Sequence, residues 1–211
     1  MFITFEGIDG SGKSTQINLL ANSLTELNYR VKVLREPGGN ILSENIRNLL
    51  LHTDDIVEPR CELLLFTAAR AQLVSRVIKP ALDKGDIVLC DRYIDSSVAY
   101  QGYGRQLPID DINNINTFAT AGLLPDATFI LDLAPLEASN RADSRFDLTS
   151  TSPDRMEKSG NEFFTRARNG YLHIAQINPE RVHVLNARSS IQDLQESIWK
   201  VISSLLQRKQ Q

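Results

Sequence analysis

The sequence predicts an α/β fold built around a mostly parallel β-sheet. Short apolar runs rich in β-branched residues recur along the chain, and helix-like patterns separate them. The runs are nearly all apolar, as expected for strands that helices cover on both faces. Ligands of such sheets bind at the carboxyl ends of the strands, so functional residues are sought just after each run. The runs are FITF at 2–5, VKVL at 31–34, IVLC at 87–90, TFILDL at 128–133 and VHVL at 182–185.

Apolar residues spaced three and four apart mark the helices between and after these strands. A first helix is predicted after residue 13, and a last one ends the chain. The segment 62–78, ELLLFTAARAQLVSRVI, is hydrophobic nearly all round and suits a buried contact. The helical faces comprise Ile17, Leu20, Ala21, Leu24 and Leu27 in the first helix and Ile191, Leu194, Ile198, Val201 and Leu205 in the last; Leu63, Phe66, Arg70, Val74 and Val77 form the stripe on 62–78.

Length and composition favour one cytoplasmic domain, residues 1–211. The net charge of −3 gives no global basic field, so nucleic acid is not an expected partner. No apolar run approaches the ~20 residues of a membrane span, and the amino terminus does not resemble a signal peptide. The two cysteines and three histidines match no zinc-ligand spacing, and both thiols are expected to be reduced and buried.

The stretch GIDGSGKS at 7–14 fits the pattern of a phosphate-binding loop between a strand and a helix. Its glycines let backbone N–H groups surround phosphate oxygens, and the helix N-terminus adds its dipole. Lys13 is expected to reach the β- and γ-phosphates, and the Ser14 hydroxyl to ligate Mg²⁺. This predicts a nucleoside triphosphate site comprising Gly7, Ile8, Asp9, Gly10, Ser11, Gly12, Lys13, Ser14 and Thr15.

The third strand ends in Asp91, followed directly by Arg92. An apolar strand that ends in Asp beside a phosphate-binding loop is expected to supply the second Mg²⁺ group. Arg92 is interpreted as a phosphate contact because it follows at the carboxyl edge of the sheet, with a surface ion pair as the alternative.

A second small-molecule pocket is predicted from the segment 62–78 and from RYIDSSVAYQGYGR at 92–105. Phe66 and Arg70, one helical turn apart, could offer a ring face and a fork of donors to a planar base. The alternative is that Phe66 belongs to the core and Arg70 extends outward to solvent. Ser97, Tyr100 and Gln101 share a helical face near Arg92 and could read a nucleoside, or they could lie on an ordinary half-exposed helix.

This second pocket decides between classes of nucleotide-binding protein. A GTPase would need a guanine-reading Asn-Lys-x-Asp sequence, and no Asn-Lys occurs in the chain. A nucleotide-driven partner switch, such as a partitioning-type ATPase, needs only one nucleotide pocket. An acceptor pocket therefore favours a kinase that acts on a small molecule.

The motifs together resemble the thymidylate kinases nearly end to end. The resemblance lies in FEGIDGSGKST at 5–15, REPGG at 35–39, LFTAARAQLV at 65–74, IKPAL at 78–82, DRYIDSSVAYQG at 91–102 and DRME at 154–157. It implies the P-loop nucleoside monophosphate kinase fold, with a five-stranded parallel sheet, a mobile lid and a homodimer. It also implies phosphoryl transfer from Mg-ATP to dTMP, giving ADP and dTDP for dTTP synthesis.

The resemblance further implies roles for residues of the acceptor region, about 35–105. Phe66 would stack on thymine, Arg70 would bond a thymine carbonyl, and Ser97 and Gln101 would help to read the base. Tyr100 would crowd the 2′ position and favour deoxyribose. The dTMP phosphate would be held by Arg92 and Arg35, and Asp9 would lie near the 3′-hydroxyl and the metal.

The lid, about residues 141–160, is where the resemblance implies a catalytic arginine, because the phosphate-binding loop has none. The candidates are Arg141, Arg145 and Arg155, alongside Lys13 and Arg92 in the loop and at the strand edge. This segment is longer and richer in Ser and Thr than the family pattern. Asn186 also stands where the family pattern has Asp near the adenine-binding loop.

Overall fold

The chain is described by a computed structural model that covers residues 1–53, 55–141 and 154–209. Its centre is a sheet of five strands in the order β2-β3-β1-β4-β5, and every neighbouring pair is parallel. The predicted fold class and all five predicted strands are confirmed. The strands are β1 (Phe2–Glu6), β2 (Val31–Arg35), β3 (Ile87–Asp91), β4 (Ala127–Asp132) and β5 (Val182–Asn186).

Helices connect the strands and cover both faces of the sheet. The longer ones are α1 (Lys13–Glu26), α2 (Ile41–Leu51), α3 (Pro59–Leu73), α6 (Ile109–Thr120), α8 (Asn161–Ile177) and α9 (Ile191–Lys209). Shorter ones are α4 (Lys79–Asp83), α5 (Ile94–Ser97), a helix at 135–141 labelled α7, and a 3₁₀ turn at Glu157–Ser159. Two π-helical segments follow α3 and α5, at Val74–Ile78 and Val98–Gly104.

Strand alternation divides the core into two layers. Ile3 and Phe5 of β1 pack with α1 and α9, whereas Phe2 packs on the opposite face with the end of α3. The three inner strands are buried along nearly their whole length, as predicted. The two edge strands are less buried: Val33 of β2 and Val184 of β5 are 47% and 43% exposed.

The segment 62–78, predicted as one helix, is divided in two. The α-helix ends at Leu73, and a π turn follows at Val74–Ile78. Leu64 on α3 is 57% exposed, so this helix has a solvent-facing side. Cys61, also on α3, is exposed, whereas Cys90 on β3 is buried as expected.

The pairing of β1 with β3 positions the site. Phe5 lies opposite Asp91, so the loop that follows β1 and the Asp91–Arg92 pair meet at one edge of the sheet. On the other side of β3, Arg35 at the end of β2 lies opposite Asp91. Three chain segments far apart in sequence are thereby brought together.

Candidate active site

The phosphate-binding loop, residues 7–12, turns tightly between β1 and α1. Gly7 and Gly10 have φ angles of 126° and 81°, which side chains rarely adopt. A Cβ on Gly7 would lie 2.6 Å from the Leu131 carbonyl oxygen, and one on Gly10 would lie 2.4 Å from that of Ala138. Glycine is therefore required at both positions by close backbone approach. The loop ends at Gly12, which has no side chain to cap the free N–H groups of α1, so these remain available to an anion.

Lys13, the first residue of α1, is 6% exposed and folds back over the loop. Its Nζ donates to the carbonyl oxygens of Gly7 (3.1 Å) and Ile8 (3.3 Å) and lies 3.9 Å from Asp9 Oδ1. Burial lowers the pKa of Lys13, and Arg92 lowers it further, while the nearby carboxylates of Asp91 and Asp9 oppose this. A phosphate oxygen in the loop would give the ammonium group a stronger acceptor than two backbone carbonyls.

Ser14 and Asp91 form the candidate magnesium site. The Ser14 hydroxyl donates to Asp91 Oδ2 at 3.2 Å across the gap between α1 and β3. The other carboxylate oxygen, Asp91 Oδ1, is buried and has no hydrogen-bond partner among the described residues. An orphaned carboxylate oxygen beside a hydroxyl fits Mg²⁺, which binds through few protein oxygens and completes its shell with water and phosphate.

Arg92 joins the phosphate-binding loop to the neighbouring cleft. Its φ of 69° is unusual for a residue other than glycine. Its Nη2 donates to Asp9 Oδ1 at 2.8 Å, and its Nη1 donates to the Gly7 carbonyl at 3.1 Å. The guanidinium lies over the Tyr100 ring, 4.9 Å from its centroid. The alternative of an ordinary surface ion pair is excluded, since the side chain is only 16% exposed.

Glu6, at the end of β1, lies beneath Arg92 and is fully buried. Its carboxylate accepts hydrogen bonds from the Tyr93 backbone N–H (2.7 Å), the Ser96 hydroxyl (2.5 Å) and the Tyr171 hydroxyl (2.9 Å). Burial raises the pKa of Glu6 to about 7, with a further contribution from the charge of Asp95. These bonds fix the turn that begins at Arg92.

A cleft adjoins the phosphate-binding loop. Five of the residues predicted for the acceptor pocket line it, together with Asp9 and Arg92. The lining comprises Asp9, Glu36, Pro37, Arg47, Leu51, Phe66, Arg70, Arg92, Ser96, Ser97, Tyr100, Gln101, Asp154 and Met156.

Arg70 is 2% exposed and does not extend outward to solvent. Its Nε and Nη2 lie 2.7 Å from Glu36 Oε2, and Nη2 also donates to the Tyr93 carbonyl at 2.8 Å. Its Nη1 donates to Ser97 Oγ (2.8 Å) and Asn116 Oδ1 (2.7 Å). Four of the five N–H donors of the guanidinium are thereby used in hydrogen bonds, and the contact between Nη2 and Glu36 is an ion pair. Arg70 therefore braces the wall of the cleft.

Gln101 lies on the π-helical segment and is 2% exposed. Its amide nitrogen donates to Glu62 Oε1 at 2.8 Å. Glu62 of α3 is 0% exposed and forms ion pairs with Arg105 and Arg155. The end of the cleft at Gln101 is thus backed by a second buried charge cluster besides the Arg70–Glu36 pair.

Arg35, predicted to hold the dTMP phosphate, does not line this cleft. Its half-exposed side chain lies 3.0 Å from Glu44 Oε2, in a groove that also contains Ser14 and Asp91. It lies apart because the end of β2 flanks β3 on the side away from β1. Arg47 of α2 lines the cleft instead and donates to the Pro37 carbonyl at 3.2 Å.

The structure describes two of the three predicted lid arginines, and these two make different contacts. Arg141 donates from Nη1 and Nη2 to the Ala187 carbonyl at 3.1 and 3.2 Å, just after Asn186. Arg155 donates to the Leu50 carbonyl at 2.7 Å and pairs with Glu62 at 2.7 Å, and neither partner belongs to the phosphate-binding loop. Arg145, like most of the predicted lid, lies outside the described residues.

Several residues of the site have no isolated signal in the sequence. Glu6, Glu36 and Glu62 are carboxylates buried next to apolar segments, and only their partners in distant segments explain them. For Glu6 and Glu36 a signal was available, since they lie inside FEGIDGSGKST and REPGG, two landmarks of the resemblance. Arg47 could have been inferred from its place between buried Ile46 and Leu50 on the amphipathic helix α2.

Three comparisons with known proteins agree with this geometry. The family model described as thymidylate kinase matches residues 5–198. A thymidylate kinase from Prosthecochloris aestuarii is 48% identical over 100% of this chain and 98% of its own length. One from Exiguobacterium is 45% identical over 100% of this chain and 96% of its own. The crystal structure of thymidylate kinase from Ehrlichia chaffeensis superposes with a TM-score of 0.77 at 39% identity, covering 96% of this chain and 98% of that one.

Proposed function

Because the chain belongs to the thymidylate kinase family, which phosphorylates dTMP to dTDP with ATP as donor, we propose that its two adjoining sites divide this reaction between them. The phosphate-binding loop holds ATP, and the cleft lined by Phe66 and Gln101 holds dTMP. The observation that carries this division is the junction of the two sites. Arg92 bonds both Asp9 and the Gly7 carbonyl of the loop, yet it also lines the cleft.

The reaction needs charge neutralisation and positioning more than proton transfer. The acceptor is a phosphate oxygen that is already anionic at neutral pH, so no general base is required. Two polyanions must meet in line, and cationic groups lower the cost of that approach. Lys13 and Arg92 contribute these charges at the junction, and Arg47 contributes a third from the cleft. Each exchanges a present carbonyl or carboxylate partner for a phosphate oxygen.

Mg²⁺ belongs to the same proposal, with the Ser14 hydroxyl and Asp91 as the protein groups that hold it. When bound, the ion neutralises charge on the donor phosphates. Asp9, predicted to lie near the metal, faces the cleft and is ion-paired with Arg92. We therefore assign Asp9 to the acceptor side, near the 3′-hydroxyl of dTMP.

The acceptor nucleoside is assigned to the end of the cleft farther along α3. Phe66 supplies a ring face for the base, Gln101 an amide at its edge, and Tyr100 a wall beside the sugar. Arg70 and Ser97, which bond each other at 2.8 Å, hold that wall in place. Arg35 is not assigned to dTMP, since it lines a different groove.

The lid, about residues 141–160, is proposed to close over both substrates and exclude water, which would otherwise accept the phosphoryl group. Arg141, Arg145 and Arg155 stay the candidates for the lid arginine: Arg141 donates to the Ala187 carbonyl, Arg155 pairs with Glu62, and Arg145 lies outside the described residues. The whole chain, 1–211, is treated as one catalytic unit within this proposal.

A homodimer is also proposed. Large apolar side chains are exposed on three helices that pack in sequence, α2 on α3 and α3 on α6. They comprise Ile41, Leu42 and Leu49 on α2, Leu64 on α3 and Phe118 on α6. Sedimentation equilibrium measures the mass, and a monomer at micromolar concentration would contradict the proposal.

Within the described residues, none of the helices is long and apolar enough to cross a membrane. A cytoplasmic location is proposed on the unpaired state of both cysteines.

Steady-state ADP release with dTMP, dUMP, dCMP and dGMP as acceptors tests the assignment of the cleft. Phe66→Ala should raise the KM for dTMP ~10-fold or more, because base–aromatic stacking contributes ~1–3 kcal/mol. The KM for ATP should stay unchanged. Cys61→Ala, at an exposed position of the same helix outside the proposed dimer surface, is the matched control. Equal changes in both KM values for Phe66→Ala, or none, would contradict the location of dTMP.

A further inference from the structure

Glu62 is a fully buried carboxylate whose two oxygens are both occupied by donors. Oε1 accepts from Gln101 Nε2 at 2.8 Å and from Arg105 Nε at 3.2 Å. Oε2 accepts from Arg105 Nη2 at 3.2 Å and forms an ion pair with Arg155, whose Nη2 lies 2.7 Å away. Two guanidinium groups therefore hold the carboxylate in one orientation, and the remaining donor is the amide of a residue that lines the cleft.

This contact determines which end of the Gln101 amide a ligand meets. A primary amide has a donor end and an acceptor end of nearly the same shape, and a rotation of its last torsion exchanges them. A carboxylate in ion pairs has lone pairs but no hydrogen to donate, so only the NH₂ end of Gln101 can face Glu62. The end left for a ligand is the carbonyl oxygen, an acceptor.

We propose that Glu62 is a positioning residue that sets base specificity by holding the Gln101 carbonyl toward the bound base. This rests on the proposed placement of dTMP in the cleft. Thymine and uracil carry an N–H at ring position N3, which the carbonyl accepts. Cytosine has a bare N3, an acceptor, so two acceptors would face each other with no hydrogen between them. Glu62 thereby disfavours the binding of a cytosine nucleotide without contacting the nucleotide itself.

Arg155 links the Glu62 cluster to the segment that begins at residue 154, after the undescribed residues. It bonds the Leu50 carbonyl on α2 as well as Glu62 on α3, and the adjacent Met156 lines the cleft. Arg105 also donates to Ser159 Oγ at 3.2 Å. The orientation of Gln101 is therefore fixed by groups from several elements rather than by its own helix.

The test is Glu62→Gln, which keeps the shape of the side chain but lets either end of the residue 62 amide face Gln101. The kcat/KM for dTMP relative to that for dCMP should fall roughly 10- to 100-fold, because Gln101 can then turn its NH₂ toward cytosine N3. The KM for ATP should not change, since the phosphate-binding loop is not part of this network. A folded Glu62→Gln protein with the wild-type dTMP:dCMP ratio would overturn the proposal.

Two further variants separate orientation from general loss of structure. Arg105→Gln removes one ion pair but leaves the Glu62–Gln101 hydrogen bond, so the dTMP:dCMP ratio should stay near the wild-type value. A ratio that falls as far as in Glu62→Gln would overturn the proposal. The double variant Glu62→Gln with Gln101→Glu keeps one carboxylate in the cluster and puts an acceptor-only group at position 101. It should recover preference for dTMP, and failure to do so would also count against the proposal.

The wild-type protein provides a test if Glu62→Gln does not fold. The side-chain amide hydrogens of Gln101, assigned by their loss in Gln101→Leu, should exchange with solvent slowly. Exchange as fast as that of an exposed glutamine would overturn the proposal. The placement of dTMP fails separately: it is contradicted when Phe66→Ala leaves the KM for dTMP unchanged. If Phe66→Ala raises the KM for dTMP but Glu62→Gln leaves the dTMP:dCMP ratio of kcat/KM unaltered, only the specificity role of Glu62 is contradicted.

Discussion

The two halves of the site are built in different ways. The proposed donor half is one continuous stretch, residues 7–14, in which backbone N–H groups and two side chains surround the position proposed for phosphate. The acceptor half is assembled from side chains of α2, α3, α5 with its π-helical extension, and residues 154–156. Buried ion pairs, Arg70–Glu36 and Glu62 with Arg105 and Arg155, hold it together. The proposed phosphate site is thus built by local backbone geometry, whereas the proposed base site depends on long-range packing.

Lys13→Ala tests the donor half and should have the largest effect. Removing the buried ammonium takes away one of the preorganised cations proposed to neutralise the transferred phosphate, so kcat should fall about 10³-fold or more. The Kd for dTMP, measured by calorimetry without ATP, should stay close to that of the wild type, because the cleft is held by other residues. Turnover near the wild-type rate would contradict the role given to Lys13. A large loss of dTMP binding would show that the two halves do not behave independently.

The same difference explains what the sequence could predict. The strands, the phosphate-binding loop and Asp91–Arg92 follow from local patterns: apolar runs, glycine spacing and the residues that end a strand. Phe66, Tyr100 and Gln101 were predicted from helical spacing, and all three line the cleft. Arg35 was placed in the cleft only by resemblance, and the position of β2 in the sheet directs it elsewhere.

Residues whose role depends on a distant partner could not be predicted in this way. Glu36 and Arg70 are 34 positions apart, and Arg70 and Asn116 are 46 apart. A buried charge is tolerated only when it is paired, so such residues identify a site only after the fold has brought the partners together. A charged residue in an apolar stripe, such as Arg70, indicates that a partner exists but not which residue it is.

Glu36→Gln tests how strongly the acceptor half depends on its ion pairs. Arg70 is 2% exposed, and with Glu36 neutralised its guanidinium would remain buried without a counter-charge. Breaking a buried pair from one side costs ~3–5 kcal/mol of unfolding free energy. Urea unfolding measures this loss. The control is Glu44→Gln, whose ion pair with Arg35 is half exposed and should contribute at most ~1 kcal/mol. Equal losses in the two variants would show that burial does not distinguish these pairs.

The smallest effects should come from Arg35 and Arg47. The resemblance predicts that Arg35 binds dTMP, whereas in the structure it is Arg47 that lines the cleft. Arg47 lines the cleft with a guanidinium that has donors beyond its bond to Pro37, whereas Arg35 lies in the groove beside Ser14. Arg47→Ala should therefore raise the KM for dTMP ~10-fold, about the contribution of one charge-assisted hydrogen bond. Arg35→Ala should leave this KM unchanged to within about a factor of two, as expected of an exposed ion pair. Initial rates at saturating ATP measure both. The reverse ranking would mean that ligand binding draws Arg35 across Asp91 into the acceptor cleft, and the division between the two halves would then hold only for the unliganded protein.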